Sequence, residues 1–168
     1  CGRTFLSAGL VEEARTEARR VLAAAAPFLE RGVPIVGLEP SCLLTLRDEF
    51  LSLMPGAEAE RLSAQAFLLE EFLAREVDAG RISAPIGQLT GKVLLHGHCH
   101  QKAFAAMGAV QKTLGLVQGL EVEVVESSCC GMAGAFGYGA DTYDVSIALG
   151  DVNTAILGTD QQLINEVI

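Results

Sequence analysis

The sequence predicts an α/β fold: a parallel sheet with flanking helices, built as two related Rossmann-like halves. Three observations predict it. Short apolar runs and long amphipathic stretches follow one another in the order strand, turn, helix, which is the signature of a parallel sheet with covering helices. Half of the 168 residues are hydrophobic and a fifth are charged, enough apolar surface to bury a core without disulfide staples. Finally, VPIVGLEPSC before a predicted helix is similar to KVLLHGHC before another. We read this as an internal duplication, with residues 1–85 as the first half and 86–168 as the second.

Each element has its own signal. Leu10 to Gly32 reads as a helix, with Leu10, Ala14, Ala18, Val21, Ala25 and Leu29 at spacings of three and four. Gly32 stops it. Val33 to Leu38 is a short apolar run and reads as a buried strand. Glu39-Pro40-Ser41-Cys42 is a turn in which Ser41 can cap the short helix predicted over Leu43–Leu53. Ala57 to Val77 reads as a second long helix, with Leu62, Ala66, Leu69, Leu73 and Val77 on one stripe. Residues 80–91 carry Gly80, Pro85, Gly87 and Gly91 and read as a linker. In the second half, Lys92–Leu95 is a strand, 96–100 a polar turn, Gln101–Val117 a helix and Glu121–Val125 a strand. Residues 126–131 form another polar turn. The glycines of 131–139 mark a loop, and Thr142 to about Leu157 reads as helical.

Composition narrows the function. Twelve basic against 21 acidic residues give a net charge of −9, which repels a phosphate backbone, so no nucleic-acid partner is expected. Trp is absent and aromatics make up 5%, which weakens base stacking further. No apolar run reaches the roughly 18–20 residues that cross a bilayer, so no transmembrane segment is expected. The chain begins at Cys1 without Met or signal peptide, and reads as a piece of a longer protein. Its five cysteines are odd in number, with two adjacent, and the chain is too large and too Cys-poor for a secreted disulfide scaffold. A reducing, cytoplasmic setting is expected, with thiols kept for metal or redox chemistry.

Four cysteines, Cys42, Cys99, Cys129 and Cys130, fall just after a predicted strand and before a predicted helix. Three strands deliver them, so a parallel sheet would gather them along its carboxyl edge, where open α/β folds bind ligands. For Cys42 alone, a buried small hydrophobe explains the residue as well. All three histidines lie at 96, 98 and 100, around Cys99. In an extended segment they point one way and Cys99 the other. Imidazole and thiolate both ligate zinc and iron. Cys129-Cys130-Gly131 is the sharpest local signal. Both thiols can face one cluster, a helix N-terminus favours the thiolate form, and Gly131 admits close approach of a bulky group. Ser127 and Ser128 are candidate caps, or donors to a cluster sulfide. Glu39 and Glu126 read as solvated turn residues before catalytic ones. GMAGAFGYG fits neither a Walker loop nor the dinucleotide fingerprint, so no nucleotide site is expected.

Taken together, Cys1-Gly2 with RTFLSAGLVEEAR, then GLEPSC, HGHCHQKA and ESSCCGMAGAFGY resemble the cysteine-rich CCG domain. That domain occurs in heterodisulfide reductase B subunits and in the iron–sulfur subunits of glycolate oxidase and anaerobic glycerol-3-phosphate dehydrogenase. The segments look closest to the C-terminal region of fused FAD-linked oxidases of the D-lactate dehydrogenase type. The resemblance covers residues 1 to about 150, and the four segments in this order are far more specific than the triplet alone.

The resemblance implies that Cys99, Cys129 and Cys130 ligate an iron–sulfur cluster, with Gly131 and Ser128 lining it. Cys1 and Cys42 would serve a first-half site, and His98 and His100 would be substitute or supporting ligands. It implies FAD in another domain of the parent protein, a flavin domain or subunit and an electron acceptor as partners, and a cytoplasmic location that reaches the inner membrane face through partners. Two departures bear on this. The first half lacks its leading Cys and half its triplet, because the chain starts at Cys1, with Glu39-Pro40-Ser41-Cys42 where the family has Cys-x-x-Cys, and residues 155–168 lack the expected closing Cys. Neither ligand set is therefore complete within the chain, and this piece alone is not expected to be active. One rival reading is a structural zinc-binding interaction domain, using Cys99, His98 or His100 and the Cys pair. A second is a thiol enzyme with Cys99 activated by His98 or His100.

Overall fold

Pairs of parallel strands organise the structure, one pair in each part of the chain. The computed structural model describes residues 1–126, 129–132 and 136–157, and of 152–157 the backbone alone. The chain divides into two units, one from Cys1 to Glu76 and one from Val77 onward.

In the first unit, α1 (Arg3–Ser7) leads into α2 (Val11–Leu29), then β1 (Ile35–Gly37), α3 (Pro40–Arg47), α4 (Glu49–Leu53), α5 (Ala57–Gln65), β2 (Ala66–Leu68) and α6 (Leu69–Asp78). The long helix α2 buries Ala14, Ala18, Leu22, Ala25 and Leu29, a stripe repeating every three or four residues. The core is completed by Leu43, Leu44 and Leu46 of α3, Phe50 of α4, Ala59 and Leu62 of α5, and Ala66 and Leu68 of β2. Strands β1 and β2 pair in parallel, Ile35 opposite Ala66 and Gly37 opposite Leu68.

The helix expected over Ala57–Val77 is interrupted. Ala66-Phe67-Leu68 leaves the helix to become β2, because pairing with β1 buries Ala66 and Leu68 at 2% and 1% exposure. A fresh helix then starts at Leu69, where the Glu71 carboxylate accepts the Leu68 N–H at 3.0 Å.

The second unit contains β3 (Gly87–Leu95), α7 (Cys99–Ala103), α8 (Met107–Leu114), β4 (Val117–Val124), a 3-10 turn at Phe136–Tyr138 and α9 (Tyr143–Leu157). β3 and β4 pair in parallel from Gly87–Val117 to Leu95–Val124, with an irregularity between Gln88 and Gly91. Part of the expected linker is thus strand: β3 begins at Gly87, and its backbone pairing claims residues 87–91. The helix expected over Gln101–Val117 is two helices. The chain turns between them at Ala105, whose φ is 55°, and Val117 already belongs to β4.

The α/β class, parallel pairing and flanking helices follow the sequence. Among the described residues, however, the strands form two two-stranded sheets, β1–β2 and β3–β4. The thiols are consequently not gathered along the rim of one sheet: Cys42 follows a strand of the first sheet, while Cys99, Cys129 and Cys130 follow strands of the second.

Candidate functional site

The first unit brings Cys1 and Cys42 together, with the Cys1 thiol donating to the Cys42 sulfur across 3.3 Å. Cys42 lies in the opening turn of α3, whose start is fixed by Glu39 and by Pro40 in the first turn. The Glu39 carboxylate accepts the Ser41 N–H at 3.0 Å and the Cys42 N–H at 2.5 Å, and the Ser41 hydroxyl at 2.5 Å. Glu39 is therefore the cap, not Ser41 and not merely a solvated turn residue. Burial works to raise the Glu39 carboxyl, but the bonds from Ser41 and Cys42 win and hold it at about 2. The same carboxylate faces the Cys42 thiol. Burial first, then the hydrogen bond to Glu39 and its negative charge, push that thiol up from its ordinary value.

The second unit brings together thiols from the ends of its two paired strands. The Cys99 thiol hydrogen-bonds to Cys129, and Cys130 lies within electrostatic reach. Cys99 opens α7, yet its thiol is also raised, by burial, then by Cys129 and Cys130, against a smaller opposing pull from Lys102. Cys1, Cys99 and Cys129 are half-buried, whereas Cys42 and Cys130 are exposed.

The histidine turn is not extended. His98 caps α7: its Nδ1 accepts the His100 N–H at 3.1 Å, while the His98 N–H donates to Gln101 Oε1, also at 3.1 Å. This is a capping box with His in place of Ser or Thr. The winding of α7 stacks the His98 and His100 rings, centroids 5.3 Å apart and planes 18° from parallel. One His98 nitrogen is thus committed to the cap. His96 keeps a buried Nε2 with no hydrogen-bond partner among the described residues.

Gly131 has a φ of +83°, and a Cβ there would sit 2.6 Å from the Ser146 carbonyl oxygen. Its missing side chain thus admits the backbone of α9. One bond holds this contact, the buried Ser146 hydroxyl donating to Gly131 O at 2.8 Å, and on its other side the Gly131 N–H donates to Cys129 Sγ at 3.4 Å. Sequence reasoning passed over Ser146, Gln101 and Lys102. Only Gln101 had a legible signal, three residues after the cap position. Ser127 and Ser128 lie outside the described residues, as do 133–135 of the glycine loop and the ambiguous tail 158–168. Glu126, Asp141, Tyr143 and Asp144 are exposed.

Soft sulfur donors held in contact suit zinc or iron–sulfur chemistry. Among the described residues no group of three or more His, Cys, Asp or Glu side chains is arranged to hold a metal ion. A cluster takes four protein ligands, so these contacts fit part of a ligand set. No helix among the described residues is long and apolar enough to cross a membrane.

The chain is similar to a subunit of the anaerobic glycerol-3-phosphate dehydrogenase of Escherichia coli (strain K12), 30% identical over 154 residues, covering 89% of this chain and 38% of that protein. It is also similar to D-2-hydroxyglutarate dehydrogenase of the same strain, 32% identical over 131 residues, covering 74% of this chain and 12% of that protein. The same-named enzyme of Pseudomonas putida is 29% identical over 116 residues, covering 68% and 11%. The chain thus spans well under half the length of these relatives. No protein-family model and no solved structure matches it.

Proposed function

We propose that this chain is an electron-transfer module of a flavin-dependent 2-hydroxy-acid oxidoreductase, in which residues 1–85 and 86–168 are two related halves of a CCG-type domain. The observation that carries the reading is the hydrogen bond of the Cys99 thiol to Cys129, from the segments that follow the paired strands β3 and β4, with Cys130 within electrostatic reach. Similarity to one subunit of a glycerol-3-phosphate dehydrogenase and to a segment of a hydroxyglutarate dehydrogenase supports it. Those two relatives are named for different substrates, so substrate choice is assigned to polypeptide beyond this module, in a flavin domain or subunit that hands electrons on to an acceptor.

One-electron transfer is the chemistry an iron–sulfur cluster supplies when bound. In this chain, Cys99, Cys129 and Cys130 would ligate in the second half, and Cys1 and Cys42 in the first. Remaining ligands would come from outside the described residues. The Gly131 N–H already donates to Cys129 Sγ, and such bonds to ligand sulfur tune a cluster's potential. Gly131 and Ser128 would line the site, with His98 and His100 as neighbouring or substitute ligands. Metal loading requires the raised Cys99 thiol to give up its proton, so uptake should strengthen as pH rises.

Anaerobic reconstitution with ferrous iron and sulfide tests this. The expected product is brown, contains iron and acid-labile sulfide, and loses most of its second-half iron in C129S. Colourless, stoichiometric zinc in place of iron would support the zinc-binding interaction domain instead. Activity lost on alkylating Cys99 alone, with no metal present, would support a thiol enzyme.

A further inference from the structure

We infer that Cys1 and Cys42 are a reversible dithiol–disulfide pair, oxidised by a small-molecule disulfide such as glutathione disulfide. The sulfurs are 3.3 Å apart although 41 positions separate them in sequence. Closing to the roughly 2.05 Å of a disulfide needs about 1.3 Å of movement, within reach of side-chain rotation. Cys42 is the exposed member and Cys1 the half-buried one, which sets the order of events. Cys42 attacks one sulfur of glutathione disulfide, forming a mixed disulfide and releasing one glutathione thiol. Cys1 then attacks the Cys42 sulfur and releases the second. Two protein S–H bonds and the glutathione S–S bond are exchanged for one protein S–S bond and two glutathione S–H bonds. The electron pair goes to glutathione.

The bridge would join the start of the chain to the first turn of α3 and use up both sulfur donors of the first unit. The bridge stands without the electron-transfer reading, and only its effect on metal loading rests on that reading.

The test uses the whole chain, reduced, desalted and incubated without metal in glutathione disulfide, then alkylated and mapped as non-reduced peptides. The expected result is a peptide pair joining Cys1 to Cys42, at a yield unchanged by tenfold dilution, as an intramolecular bridge requires. Recovery of Cys42 as a lasting glutathione adduct with Cys1 free would overturn the inference. In C42S, Cys1 should end as a glutathione adduct; bridging of Cys1 to another cysteine at equal yield would also overturn it. Iron uptake by the reduced protein is a separate measurement, so failure of the bridge and failure of the electron-transfer reading are distinguishable.

Discussion

The two units hold their sulfurs by different means. In the first, Cys42 rides on α3, a helix that buries Leu43, Leu44 and Leu46 beside Phe50, which is 0% exposed. Packing fixes that thiol. In the second, residues 87–92 of β3 are exposed, as are Tyr143, Val145 and Ile147 of α9, and the described core is small, with Ala106, Val110 and Val125 its buried apolar residues. Here Cys99 and Cys129 are placed by polar bonds: the His98–Gln101 capping box and the contacts of Gly131 with Ser146 and Cys129. A thiol can thus be positioned from beneath by a core or from beside by a hydrogen-bond network. The second kind is the more sensitive to a single backbone change.

The largest expected effect tests the packed side. Phe50→Ala should cost about 3–5 kcal/mol of first-unit stability. The chain has no Trp, and its two tyrosines, Tyr138 and Tyr143, both lie in the second unit. Urea melts followed by far-ultraviolet circular dichroism should therefore shift, while tyrosine fluorescence should not. A common shift would show that the two units unfold as one and would remove the contrast.

Gly131→Ala tests the polar side. A methyl there meets the Ser146 carbonyl at 2.6 Å on a backbone of φ +83°, so a loss of roughly 1–3 kcal/mol is expected. Tyrosine fluorescence should report it. An unchanged midpoint would mean that the Gly131–Ser146 contact does not order the second unit.

The smallest effect concerns the cap. Glu39 sits at about 2 when folded, below its ordinary 4.5. Its contribution is therefore complete above about pH 4.5 and is lost as the pH falls toward 2. Glu39→Gln should cost about 1 kcal/mol at neutral pH and should flatten the acid limb of the first unit's stability profile. Parallel acid limbs in the two proteins would show that the cap is not the titrating contact.

Much of the first unit was legible. Ala14, Ala18, Ala25 and Leu29 fall on the buried stripe as periodicity requires, though Leu22 replaces Val21 and Leu10 is 44% exposed. β2 was hidden because Ala66-Phe67-Leu68 satisfies a helical stripe equally well. Only its distant partner Ile35–Gly37 decides for strand, and that pairing leaves no local mark. In the site, the pairing of thiols at strand ends was readable from strand–turn order. Their division between two sheets was not, since order alone does not say which strands are neighbours. Glu39 followed by Pro40 is a readable helix start, whereas a histidine cap at His98 is outside the usual preference for Ser, Thr, Asp and Asn.

Gly131 is a pinch point with no slack. Its amide grips the Cys129 sulfur, and its carbonyl is gripped by the hydroxyl of Ser146. Helix α9 and the thiol are therefore joined through a single residue, by one bond on each side of its Cα.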